Sequence, residues 1–217
     1  MFNFKKLVQQ ALFACTLAIF SGAALAGPTY QVTIDTSAFD GSGEPAWLDF
    51  NFATADNLFI TTATLSNFGG AFVEELDRRG GFEGDLASGI SATNTGASNF
   101  LTYVVLLGGN FTFDISFTDE YLSFTDEAAG PAFSITLYEA GFGSILGSTT
   151  GGPTVQFDLR PASASISTPA ELVITTEAGL ASVVELAAAD VPEPSQLLLM
   201  LSALALAGVA LRRRNAL

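Results

Sequence analysis

Two acidic pairs, Asp119-Glu120 and Asp126-Glu127, flank Tyr121-Leu122-Ser123-Phe124 and form the densest group of chemically competent side chains in the sequence. Carboxylates clustered on a loop suit Ca²⁺, a hard cation that takes six to eight oxygen ligands. The alternate acids and sixth-position glycine of an EF-hand are missing, so a solvated acidic loop is the default reading and Ca²⁺ the alternative. Two carboxylates about 5–10 Å apart in a cleft would instead serve glycoside hydrolysis. The chain holds 22 acidic residues, however, and nothing in their spacing singles out a pair. Aromatic side chains offer a third chemistry. Trp47, close to Pro45, together with Tyr103, Tyr121 and Tyr138, would make a stacking surface for the apolar face of a sugar ring if exposed. The competing reading has them cover an edge or a second core.

Other chemistry is closed off. The 217 residues include no histidine and one cysteine, Cys15, so Ser-His-Asp or Cys-His catalysis and zinc sites built on His or Cys are excluded. No cofactor is called for by the remaining residue types, Ca²⁺ at the acidic pairs being the one option.

The elements that must carry these side chains read as strands. Tyr30, Val32 and Ile34 alternate with polar residues, as do Leu48, Phe50 and Phe52, and Phe111-Thr112-Phe113-Asp114-Ile115-Ser116-Phe117-Thr118 does so without a break. Phe133, Ile135 and Leu137, then Val155, Phe157 and Leu159, repeat the pattern. Strict alternation means one dry and one wet face, hence antiparallel sheets. Turn signals separate the runs at Asp40-Gly41-Ser42-Gly43, Gly69-Gly70, Arg79-Gly80-Gly81, Gly108-Gly109-Asn110, Ala129-Gly130-Pro131 and Gly151-Gly152-Pro153. The expected fold is all-β: an antiparallel two-sheet sandwich, jelly-roll-like, over residues 27–190. Phe72-Val73-Glu74-Glu75-Leu76 reads as a single helical turn, and Ala178 to Ala189 as either a last strand around Leu180–Leu186 or a linker.

Both ends read as addresses. Lys5 and Lys6 precede an apolar run, Leu12 to Phe20, and Ala24-Leu25-Ala26 fits signal-peptidase cleavage before Gly27. Residues 1–26 are thus expected to be a signal helix, too short in its apolar run for an anchor. Phe13 is too bulky for a lipobox ending at Cys15. At the other end Val191-Pro192-Glu193-Pro194-Ser195 leads into Leu197 to Leu211 and then Arg212-Arg213-Arg214. At about 1.5 Å per residue the apolar run covers roughly 22 Å as a helix, enough for a single transmembrane helix with some bilayer thinning or snorkelling of the arginines. The arginines stay in the cytoplasm and residues 27–190 face outward. Prolines 192 and 194 hold the preceding segment extended and accessible, as a processing enzyme needs.

Setting aside Glu193 leaves 21 acids, and setting aside both lysines and the terminal arginines leaves only Arg78, Arg79 and Arg160, so the exported part carries −18 against −14 for the whole chain. Nucleic acid and anionic membrane surfaces are poor partners for it. With no thiol outside the signal peptide it has no disulfide and must stand on its core.

The order Pro192-Glu193-Pro194, Leu197–Leu211, Arg212–Arg214 resembles the PEP-CTERM sorting signal of Gram-negative bacteria. That resemblance implies export through the Sec translocon and signal peptidase, transient residence in the inner membrane with the ectodomain in the periplasm, and recognition by an exosortase that cuts near Pro-Glu-Pro. It further implies delivery to the cell surface or outside, in association with extracellular polysaccharide and biofilm. The stretches Tyr30–Ser37, Trp47–Phe52, Ala63–Phe68, Phe111–Phe117 and Phe133–Tyr138 are also similar to a recurrent ectodomain of such proteins, which lends no catalytic residue. The expectation is therefore a surface or matrix protein that is not an enzyme. A carbohydrate-binding module, calcium-assisted, is the first alternative and a carboxylate-dependent glycoside hydrolase the second.

Overall fold

A polypeptide that alternates large apolar and small polar side chains buries the former only by laying one face of a sheet on another. Such a packing is what the computed structural model contains; it describes residues 27–39, 45–54, 60–96, 98–118, 120–123, 130–163 and 169–187. The expected signal peptide, the sorting segment with its expected transmembrane helix, and the turn at residues 40–43 lie outside the described residues. Among the described residues no helix is long and apolar enough to cross a membrane.

Twelve strands are β1 (Thr29–Asp35), β2 (Pro45–Ala53), β3 (Thr62–Gly69), β4 (Phe72–Arg79), β5 (Gly81–Asp85), β6 (Gly89–Thr93), β7 (Phe100–Leu106), β8 (Asn110–Phe117), β9 (Ala132–Glu139), β10 (Val155–Arg160), β11 (Glu171–Thr176) and β12 (Ala181–Leu186). They form two six-stranded sheets, ordered β12-β1-β8-β3-β6-β5 and β11-β10-β9-β2-β7-β4, with every pairing antiparallel. Successive strands cross between sheets along much of the chain, so the inner faces are held together by the connections as well as by packing. Among the described residues helix is confined to a 3₁₀ turn at Ser37–Phe39 and one turn, α1 (Glu120–Ser123).

The core is built from phenylalanine. Phe50, Phe52, Phe111, Phe113, Phe133 and Phe157 are all fully buried. Their rings bridge the two sheets: Phe50 meets Phe113 edge-on at 5.5 Å, and Phe117 meets Phe157 at 5.4 Å. Each buried ring contributes on the order of 2–3 kcal/mol, with roughly 0.5–1.5 kcal/mol more from each edge-to-face pair.

The segment Phe72–Leu76 is an edge strand, β4, and not a helical turn. Two register shifts, between Phe72 and Glu74 and between Glu75 and Asp77, break its alternation. Each bulge puts two residues opposite one, so a strand acquires the charge spacing of a helix. The segment left open at Ala178–Ala189 contains a strand, β12, at the edge beside β1.

Candidate functional site

The aromatic residues divide into two groups. β2 starts at Pro45, so Trp47 lies one step out of phase with buried Ala46, Leu48 and Phe50 and points to the outer face. Tyr138 of β9 is its cross-strand partner. Beyond β9 the chain turns back, closed by the Glu139 N–H donating to the Ser144 carbonyl (2.9 Å) and a Tyr138–Ile145 bridge. This turn folds Phe142 over the sheet, with its ring centroid 4.5 Å from Trp47 and 5.4 Å from Tyr138, edge-on to both. Phe142 adopts φ 53° and remains 51 % exposed. A left-handed conformation is unusual for a bulky residue, and here it sets an apolar ring at the surface.

Tyr103 and Tyr121, expected on the same platform, are not part of it. Tyr103 is buried, packs edge-on against Phe72 at 5.7 Å and donates its hydroxyl to Glu75 Oε2 (3.5 Å). Tyr121, carried by α1, is also buried in the core. Their positions follow phase: Tyr103 falls on the inner side of β7, and the helical turn swings Tyr121 under the sandwich.

Next to the aromatic trio runs a polar strip that sequence reasoning did not single out. Asp49 follows Trp47 on the outer face of β2, between Thr102 of β7 and Thr136 of β9. The Thr102 hydroxyl donates to Asp49 Oδ1 at 2.6 Å. Burial nevertheless dominates and pushes the Asp49 carboxyl up to about 6, the Thr102 hydrogen bond opposing it. Asn51 and Ser134 continue the strip as a register pair. Half-buried rings beside hydroxyls, an amide and a carboxylate suit a polyhydroxylated ligand, which offers both CH faces and hydrogen-bonding groups.

Of the acidic pairs, Glu120 opens α1, while Asp119, Asp126 and Glu127 lie outside the described residues. Among the described residues no group of three or more His, Cys, Asp or Glu is placed to hold a metal. Ala24 and Ala26 also lie outside them, and Gly27 stands two residues ahead of β1.

The sorting residues Pro192, Glu193, Pro194, Arg212, Arg213 and Arg214 likewise fall beyond the described part, and here comparison with known families decides. Residues 190–214 match the model of the PEP-CTERM protein-sorting motif. The chain carries a PEP-CTERM motif. The PEP-CTERM motif supports an exported protein processed by an exosortase, its processing partner, along a Gram-negative envelope route to the cell surface. No curated protein and no solved structure matches the chain.

Proposed function

We propose that this protein is a non-catalytic component of the cell surface or extracellular matrix, exported by Sec, held briefly by its C-terminal helix and released or attached by exosortase cleavage, where it associates with exopolysaccharide in a biofilm. The observation that carries this reading is the position of the motif relative to the fold. The last strand ends at Leu186 and the PEP-CTERM motif begins at residue 190. Cleavage near Pro192–Pro194 therefore severs a finished domain from its membrane segment without removing a strand. Mass spectrometry of the protein recovered from the envelope and the medium should show a C-terminus near Pro-Glu-Pro; a chain intact to Leu217 overturns the reading. We read the scaffold as jelly-roll-like, since β1-β8-β3-β6 and β2-β7-β4 interleave in facing sheets.

The outer-face trio favours carbohydrate binding as the activity of this surface. Trp47, Tyr138 and Phe142 supply the apolar platform, and the half-buried Asp49, with Asn51 and Ser134 further along the same strip, supplies polar contacts. In a pull-down with the host's exopolysaccharide, Trp47→Ala should lose about tenfold in retention, in keeping with roughly 1–2 kcal/mol for one stacked ring. Equal retention of wild type and variant removes the platform from consideration.

A further inference from the structure

The four sheet edges are not defended alike. β4 is bulged twice and carries Glu74, Glu75, Asp77, Arg78 and Arg79, and β5 carries Glu83 and Asp85 around Gly84, whose φ is +89°. Bulges and charges of this kind keep other strands from adding to an edge. On the opposite side β11 and β12 are regular, each in unbroken register with a single neighbour. β12 reads Ala-Ser-Val-Val-Glu-Leu, with Glu185 its one charge, and Val184 is 59 % exposed.

The free side of β12 can be specified. The Asp35 N–H donates to the Leu180 carbonyl at 2.8 Å, which places the even-numbered residues of β12 in hydrogen-bonding register with β1. The main-chain N–H and C=O groups of Val183 and Glu185 consequently point away from the sheet. Among the described residues no strand pairs with that side.

The exported chain's own ends are too short to cover it. Only Gly27 and Pro28 precede β1 once the signal peptide is removed. Residues 187–191 separate β12 from Pro192, fewer than the six residues of β12 itself. Pro192 and Pro194 cannot donate to a ladder. No described segment covers this edge, and a second molecule is the natural occupant. Two exported chains of charge −18 repel each other, and most strongly across the acidic β4–β5 edge. The β12 edge is where they can meet. In an antiparallel pair centred on Val184, Glu185 of each copy faces uncharged Val183 of the other, and the outward groups of both residues are satisfied.

We propose that two copies of this chain associate by antiparallel pairing of their β12 strands about a two-fold axis at Val184, joining two six-stranded sheets into one of twelve. This goes beyond the surface role proposed above and does not depend on carbohydrate binding. Across the axis the two Val184 residues form a non-hydrogen-bonded pair, with Cα atoms about 4.5 Å apart and within reach of a disulfide.

The exported protein offers a clean readout, because Cys15 lies in the signal peptide and no other cysteine exists. The full chain bearing Val184→Cys, expressed in an exosortase-bearing host and mildly oxidised, should form a disulfide-linked dimer at least about tenfold faster than Val73→Cys, on the bulged β4 edge and 55 % exposed. The wild-type mature protein should have twice the monomer mass by light scattering, and Val184→Lys should return it to the monomer with its Tm unchanged. Equal cross-linking rates at the two positions, or a monomeric wild type at its highest soluble concentration, overturn the proposal. The cysteine comparison decides by itself if the lysine variant lowers Tm.

Discussion

Asp49 shows how a residue's chemistry is set by its neighbours. It occupies the wet phase of an alternating strand, yet Thr102 and Thr136 beside it are buried and its carboxyl titrates near 6. A folded-state pKa above the unfolded value means that the native state holds the proton more tightly. This carboxyl therefore favours the fold below about pH 4, and stability declines as pH rises towards 6 and beyond. Asp49→Asn keeps an acceptor for the Thr102 hydroxyl and removes the buried charge. It should raise unfolding free energy by about 1–2 kcal/mol at pH 7.5, a value reduced for partial solvent access, and leave it unchanged at pH 4. Urea denaturation at the two pH values measures this, and an equal effect at both would refute it. None of this was legible in the sequence, where Asp49 is one acid among 22. The buried polar residues were equally silent. Thr36 donates to the Gly109 carbonyl at 2.7 Å and accepts from the N–H groups of Gly108 and Gly109. Asn99 accepts from the Gly81 N–H at 2.9 Å and donates to the Phe52 carbonyl at 3.2 Å. Each ties segments distant in sequence, so local pattern carries no trace of it. A side chain at Gly80, whose φ is +70°, would run into Asn99, so the turn that carries the chain from β4 to β5 in the other sheet is specified twice over.

Alternation made five of the twelve strands readable, because a strand with one buried face writes its own phase into the chain. β1, β2, β8, β9 and β10 bury the side chains that the pattern marks as inward, Phe111, Phe113, Ile115 and Phe117 on β8 among them. β4 was misread because its bulges erase that phase, and it lies at an edge where only one neighbour enforces pairing. β12 reads as either strand or linker, and β11 gives no reading at all, for a related reason: edge strands bury less, and their burial patterns alternate weakly. The weight of the structure rests on the central strands. Phe113 of β8 touches Phe50 at 5.5 Å and stacks on Phe68 at 5.7 Å. Phe113→Ala should cost about 3–5 kcal/mol, through lost burial and the cavity left behind. A shift below about 1 kcal/mol in the urea midpoint analysis would mean that the two sheets do not depend on this contact.

At the scale of the whole molecule, fold and address are separate devices joined by a few residues. The sandwich is complete at Leu186, and the PEP-CTERM motif starts at residue 190. Deleting residues 192–217 should therefore release a folded protein to the periplasm or medium, with a Tm within about 2 °C of the processed form, since all twelve described strands remain. Fractionation that finds the truncated chain degraded or aggregated would show that the segment contributes to folding. The acidity of the exported part belongs to this scale as well. It keeps molecules apart except along the weakly charged edge at β12, which is why association there should strengthen as salt screens the repulsion.

The sequence by itself determined the strand faces and the export route, because both are written in contiguous residues: alternation along a strand, and a linear signal read at the membrane. It left open which aromatic residues share a surface. Tertiary structure put Trp47, Tyr138 and Phe142 together outside the sheet and sent Tyr103 and Tyr121 into the core. It also raised the Asp49 carboxyl by burial and, among the described residues, left the outer side of β12 without a partner strand. Those outcomes depend on which strands become neighbours and in what register, and pairing between distant segments is settled only when the two sheets close on a common core.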